Sequence, residues 1–320
     1  MFKRESLIDQ NFKKTVLQTK DSLSDHPPNK RVGGLSHKEI LGIVESQFIS
    51  RHLDFLAREL KDQGRGFYTI GSFGHEGNAA LGWFFPLHDM AFLHYRSNAF
   101  VIERAKKLQK SHIIKDIILS LMASRKDPIA RGRHKVFGSL ALNIPPQTST
   151  IASHLPKAVG TALALPKAAE LSIQSSLRKD SVILSSFGDA SFNHASAQTA
   201  INSAAWVSYN HIPLPLIFIC EDNGIGISTP TPKGWIASVM AARKGIEYIY
   251  VNGLDLIDVI EGCRKADLVA RKKRRPVFLH FSCIRMLGHA GSDIETEYHN
   301  TFEIEQIERQ DPLIKSARIL

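Results

Sequence analysis

Val182-Ile183-Leu184-Ser185-Ser186-Phe187-Gly188-Asp189-Ala190-Ser191-Phe192-Asn193 decides the fold, read with Ile217-Phe218-Ile219-Cys220-Glu221-Asp222-Asn223-Gly224 further along. Each is an apolar run of strand length that ends in Gly, Asp, Asn or Ser, residues that punctuate strands. Between them, Ala195 to Val207 puts Ala197, Ala200, Ile201 and Ala204 on one helical face. The unit reads strand, helix, strand. In such units anions collect at the carboxyl ends of the strands, where helix N-termini offer free N–H groups. Asp189 and Asn223 would both stand at that edge. A carboxylate and an amide carbonyl are hard oxygen donors, and with diphosphate oxygens they suit an octahedral Mg2+. Gly188-Asp189 taken alone is more often a helix cap. The pairing with Asn223-Gly224 at the end of the next strand is what favours ligands.

Outward from this unit the alternation continues. Ser36 and Glu39 form a capping-box signature ahead of Ile40, Leu41, Val44, Phe48, Leu53, Leu56 and Leu60, which predicts a long helix. A short helix runs from His75 towards Phe85, then Phe92-Leu93-His94-Tyr95-Arg96 reads as a strand and its exit, followed by two helical stretches up to Ser124. Asp127 to Ser153 lacks periodicity and reads as a long loop, of the kind that is usually functional. A small-residue helix starts at Leu155, with Pro166 as a kink or break. Tyr248 to Val251 and Val277 to Ile284 read as strands flanking a helix capped by Asp255. The expected fold class is α/β, a parallel sheet with helices on both faces. Residues 1–35 are expected to be a poorly ordered arm, and 36–320 one domain.

Composition narrows the function classes. The chain has 320 residues, 43% of them hydrophobic, enough for a substantial core, and no apolar run long enough to span a bilayer. A cytoplasmic enzyme is expected, or a matrix one in a mitochondrion if the source is eukaryotic. Cys220, Cys263 and Cys283 lie within apolar patterns without metal-ligand spacing and read as buried thiols. The net charge of +10 raises nucleic acid as a partner. The densest run, Arg271 to Arg275, has no aromatic interleaving, however, and reads as a solvated helix end.

The central pair resembles the thiamine diphosphate motif, Gly-Asp-Gly followed by Asn, of the alpha subunits of 2-oxo acid dehydrogenases, with Ala190 in place of the final Gly and a longer stretch around Ser208 to Pro215. An alanine fits there if its backbone needs no positive φ. Further motifs carry the resemblance. Tyr95-Arg96 matches the family's cofactor-contacting pair, although Asn98-Ala99 departs from the usual Gly ending. Ser149-Thr150-Ile151-Ala152-Ser153-His154-Leu155-Pro156 is similar to the segment that holds the aminopyrimidine ring, with Ser149 and Ile151 as contacts. Arg285-Met286-Leu287-Gly288-His289-Ala290-Gly291-Ser292-Asp293 resembles the loop whose His reaches the diphosphate and the reacting centre. A loop His of this kind is expected to titrate near neutrality. Ala290 replaces a phosphorylatable Ser of some relatives, which removes that control.

The resemblance implies a thiamine diphosphate- and Mg2+-dependent oxidative decarboxylation of a 2-oxo acid, branched-chain by preference, with acyl transfer to a lipoyl group. Asp189, Asn223 and the Ile225 carbonyl would hold Mg2+. Gly188, Ala190 and Ser191 would lie along the cofactor. Tyr95 and Arg96 would hold the diphosphate, and His289 would orient and protonate the reacting groups. Arg133, His134 and Lys135 are candidates for the substrate carboxylate, with His134 in a catalytic role, and His75 has a smaller claim on the site. The implied partners are a beta subunit in an alpha2beta2 heterotetramer, which contributes an activating glutamate, and a lipoyl-bearing acyltransferase. A pyruvate- or acetoin-type dehydrogenase, a catalytically silent alpha-like subunit and a dinucleotide-binding oxidoreductase are the alternatives. The last lacks its Gly-x-Gly-x-x-Gly.

Overall fold

A computed structural model of the chain describes residues 4–20, 31–67, 69–133, 136–174 and 177–320. Its centre is a five-stranded parallel sheet. In chain order the strands are β1 (Ala91–Phe92), an outlying antiparallel pair β2 (Val136–Ser139) and β3 (Ile144–Thr148), then β4 (Ile183–Gly188), β5 (Leu216–Asp222), a small pair β6 (Ile225–Gly226) and β7 (Thr229–Pro230), β8 (Glu247–Asn252) and β9 (Val277–Ser282). The central order is β1-β4-β5-β9-β8. Helix Ala195–Tyr209 links β4 to β5, and helix Leu256–Asp267 lies between β8 and β9.

The largely apolar character of the inner strands β4, β5 and β9 follows from burial on both faces. Leu184, Ile217, Ile219, Val277 and Leu279 enter one core, shared with the helices Ala79–Phe84, Asn98–Ala105 and Leu256–Asp267. Their neighbours Ile183, Phe187, Leu216, Phe218 and Phe278 enter the other, under the helices Leu155–Glu170 and Ala195–Tyr209. The register keeps the carboxyl ends level, since Gly188 pairs with Glu221 and Asp222 pairs with Ser282. Asp189, Asn223 and Cys283 therefore leave the sheet along one edge.

Several local expectations hold: the Ser36/Glu39 capping box of helix His37–Asp62 and the Asp255 cap are both formed, and all three cysteines are free and buried. Others are corrected. Helix Leu155–Glu170 runs through Pro166 without breaking. The stretch 127–153 is not all loop, because it contains the β2-β3 hairpin. Within the expected arm, Arg4–Lys20 is a helix whose Ile8 is buried with Phe73, Met286 and Leu287. It is held by Arg4, which bonds Glu295, Glu308 and the Met286 carbonyl. Arg271 is not a solvated helix-end cation either: it grips the buried Asp89 at 2.6 Å and Asp267 at 2.8 Å. Among the described residues no helix is long and apolar enough to cross a membrane.

Candidate active site at the carboxyl edge of the sheet

A cavity of about 170 Å3 opens over the carboxyl ends of β4 and β5. Tyr95, Arg96, Ser149, Ile151, Gly188, Asp189, Ala190, Ser191, Asn223, Ile225 and His289 all border it. These include every expected cofactor and metal contact. His134 and Lys135 lie outside the described residues. Arg133 is exposed and turned back on its own loop, bonding the Ala130 carbonyl at 3.0 Å.

Asp189 opens a short 3-10 turn, Asp189–Ser191, directly after β4. Its Oδ2 accepts from the Thr231 hydroxyl at 2.6 Å and its Oδ1 from the Asn223 N–H at 3.5 Å. Burial pushes the carboxyl up to about 6; the Thr231 bond opposes that shift and the nearby Asp222 charge adds to it. Ala190 keeps a negative φ, which meets the condition for an alanine at that position. The Asn223 Oδ1 accepts the Ile225 N–H at 3.2 Å, and its Nδ2 lies 3.0 Å from the His75 Nε2. Behind it the His75 Nδ1 meets the Glu221 Oε2 at 2.6 Å, with both side chains fully buried. Burial drives His75 down to about 4, and the imidazoles of His75 and His94 hold Glu221 far below the carboxylate range.

Two cations line the same cavity. Arg96 is buried, lies over the Tyr95 ring at 5.4 Å, and donates to the Gly71 carbonyl and to the His289 carbonyl at 3.0 Å. Its Nη2 also sits 3.2 Å from the His289 Nδ1. Arg285 is buried too, donating to the Leu287 carbonyl at 3.1 Å and the Tyr298 hydroxyl at 2.8 Å. Neither guanidinium is in an ion pair among the described residues. The His289 backbone is fixed by Asp293, whose Oδ2 accepts the His289 N–H and the Tyr298 hydroxyl, both at 2.6 Å. Burial first, then the Arg96 and Arg285 charges, lower His289 to about 4. This corrects the expected titration near neutrality. With Nδ1 facing a guanidinium donor, the neutral ring carries its proton on Nε2.

Sequence reading missed Thr231, which carries no pattern between Pro230 and Pro232, and gave no role to Arg285, although its position directly after a buried strand was a usable signal. It also gave Glu221 no role, although Glu221 is the residue that holds His75 behind Asn223.

The family model described as Dehydrogenase E1 component matches residues 44–320. The chain belongs to the dehydrogenase E1 component family. Among E1 relatives it is 27% identical over 289 residues to the 2-oxoisovalerate dehydrogenase subunit alpha of Bacillus subtilis (strain 168), covering 88% of this chain and 81% of that protein. To the 2-oxoisovalerate dehydrogenase subunit alpha 2, mitochondrial, of Arabidopsis thaliana it is 28% identical over 283 residues, covering 87% and 56%. This E1 chain thus spans little more than half of the plant relative. Its fold is similar to that of transketolase from Campylobacter jejuni subsp. jejuni NCTC 11168, at a TM-score of 0.53 and 15% identity over 89% of this chain and 47% of that one.

Proposed function

We propose that the chain is the alpha-type subunit of a 2-oxo acid dehydrogenase that uses thiamine diphosphate and Mg2+ and acts on branched-chain 2-oxo acids. The supporting observation is the charge pattern of the cavity. Asp189 is a buried carboxylate in no ion pair among the described residues, and the same cavity is lined by Arg96 and Arg285, buried cations with no carboxylate within ion-pair distance among the described residues. Buried charges left unpaired are costly. A divalent ion carrying a diphosphate would satisfy both signs of charge together: Asp189, the Asn223 amide oxygen and the Ile225 carbonyl would hold the ion, and Tyr95, Arg96 and Arg285 would hold the diphosphate.

When bound, the thiazolium supplies the nucleophilic carbon and the electron sink for loss of carbon dioxide. The chain's own work is positioning. Gly188, Ala190 and Ser191 leave space along the turn, while Ser149 and Ile151 flank the aminopyrimidine end. His289, neutral and fixed by Asp293 and Arg96, offers its Nε2–H to an anion or a developing alkoxide. Asp189 is the one carboxylate among the described residues lining the cavity. The glutamate that activates the aminopyrimidine is accordingly assigned to a beta subunit, and the 49% and 57% exposure of Ile151 and Ile227 at the rim is consistent with a second chain covering it. A lipoyl-bearing acyltransferase receives the acyl group. A neighbouring cavity of about 110 Å3, lined by apolar residues such as Val101, Ile113, Ile117 and Phe137, shares Ile70 and Tyr95 with the first and suits a small branched side chain.

Titrating thiamine diphosphate into the chain with its beta partner, with and without Mg2+, tests this reading. Mg2+-dependent binding that Asp189→Ala abolishes is expected, together with faster decarboxylation of branched 2-oxo acids than of pyruvate. Unchanged binding by Asp189→Ala removes the metal assignment.

A further inference from the structure

Asn223 is the second proposed metal ligand; on one side of its amide the Ile225 backbone N–H meets the Oδ1 at 3.2 Å, and the other end needs a partner that accepts. A carboxamide can turn over and present Nδ2 instead of Oδ1, and an N–H2 group cannot bind a cation. The residues behind it supply that acceptor. The fully buried Glu221 carboxyl oxygen meets the His75 Nδ1 at 2.6 Å, the separation across one shared proton, so that ring nitrogen is the one that donates. The His75 Nε2 is then a bare lone pair. It lies 3.0 Å from the Asn223 side-chain nitrogen, which must donate to it. The Oδ1 is thereby turned the other way, where it accepts the Ile225 N–H at 3.2 Å, on a residue that lines the cavity.

We propose that Glu221 and His75 form a two-step relay that locks the Asn223 amide with its oxygen towards the Mg2+ position, which makes His75 a positioning residue for the metal. The inference rests on the function proposed above. It extends that function by explaining why a fully buried imidazole and carboxylate sit beneath the site although neither lines the cavity. His75, His94 and Glu221 also offer three ligand atoms within 4.8 Å of one another, the spacing of a candidate metal cage. The 2.6 Å between the His75 Nδ1 and the Glu221 oxygen argues against that use. Two donors around a tetrahedral ion with arms of ~2.0–2.1 Å stand well over ~3 Å apart, whereas 2.6 Å is the separation across a shared proton.

The test measures Mg2+ half-saturation of thiamine diphosphate binding by calorimetry, on the full chain with its beta partner. His75→Phe removes the acceptor and is expected to raise the Mg2+ requirement by on the order of tenfold or more, as loss of a residue that orients a metal ligand does. His75→Gln restores an acceptor near the Nε2 position and is expected to return the requirement to within about threefold of the parent. The unfolding midpoint without Mg2+ reports any purely structural loss, which would not separate these two variants in their Mg2+ titrations. If His75→Phe does not fold, Glu221→Leu serves: with no acceptor facing Nδ1 the imidazole proton is free to move to Nε2 and repel the Asn223 amino group, so the requirement again rises. A folded His75→Phe or Glu221→Leu that titrates Mg2+ like the parent overturns the relay, as does a His75→Gln as weak as His75→Phe. Asp189→Ala separates the two claims. If it loses binding while the His75 and Glu221 variants keep the parental titration, only the relay falls; if it too binds like the parent, the metal assignment falls and the relay with it.

Discussion

Gly226→Ala is the substitution that most directly tests how this chain accommodates an alanine in the turn proposed to carry the diphosphate. A Cβ added at 226 would stand 2.5 Å from the Cβ of Ala190. Apolar carbons rest at about 3.5–4.0 Å, so β6 or the Asp189–Ser191 turn must move by at least about 1 Å to admit it. Neither methyl can rotate away, because a Cβ is fixed to the backbone. Overpacking of this kind costs about 1–3 kcal/mol, and the displaced turn is the one that carries Asp189. Ala190→Gly alone is expected to cost a smaller amount, roughly 0.5–1 kcal/mol, through added chain freedom. In the double variant the clash is absent, so Gly226→Ala should cost close to nothing once Ala190→Gly is already in place. Urea unfolding of the parent, both single variants and the double gives the coupling directly, and Mg2+-dependent cofactor binding should follow the same order. Costs that add within about 0.5 kcal/mol would refute the reasoning, since residues that do not press on one another show no coupling.

Two further perturbations probe the buried charges beneath the site. Asp54 is fully buried, accepts the Ser72 N–H at 2.5 Å, and is raised to about 7 chiefly by burial. The unfolded chain releases this proton near ~4, so the folded state holds more protons across that window and stability falls as pH rises from about 4 to 7. Asp54→Asn should flatten that fall and leave the variant more stable at pH 8 by on the order of a few kcal/mol, read as the denaturation midpoint against pH. Arg51 is buried and held in its charged form by Glu76 and Asp311, the latter through two bonds at 2.8 and 2.9 Å. Asp311→Ala removes one partner and should cost about 3–5 kcal/mol, measured by urea unfolding; a cost below about 1 kcal/mol would mean that Glu76 alone suffices.

The central sheet was legible because its inner strands are buried on both faces, so Ile183 to Phe187 and Leu216 to Cys220 read as near-continuous apolar runs with polar stops. The stops themselves became the site. What escaped reading depends on partners distant in sequence. The β2-β3 hairpin lacks a strand pattern, with Pro145 and Pro146 in one arm and no fully buried residue in the other. Helix Arg4–Lys20 has a weak apolar face, and its anchor Arg4 bonds Glu295 and Glu308 near the other end of the chain. His289 was recognised as a site residue, but its low proton affinity was not readable, because one of the two charges that lower it, Arg96, arrives from a different strand end.

The arrangement of these charges also explains why the cavity does not neutralise itself. Asp189 could in principle have paired with a guanidinium of the same cavity, but it is tied to Thr231 and to the backbone of Asn223, while Arg96 and Arg285 are tied to carbonyls, His289 and Tyr298. Each charge is held in place by neutral partners, so opposite signs stay apart. Such a site is costly while empty and gains most from a ligand that is itself dipolar, a cation joined to a polyanion. A lone phosphate would satisfy Arg96 and Arg285 and leave Asp189 unpaired, and a lone Mg2+ would do the reverse. On the proposed function, binding of the two together would be more favourable than the sum of each alone, because the geometry that keeps the carboxylate and the guanidinium groups apart favours a ligand carrying both signs of charge.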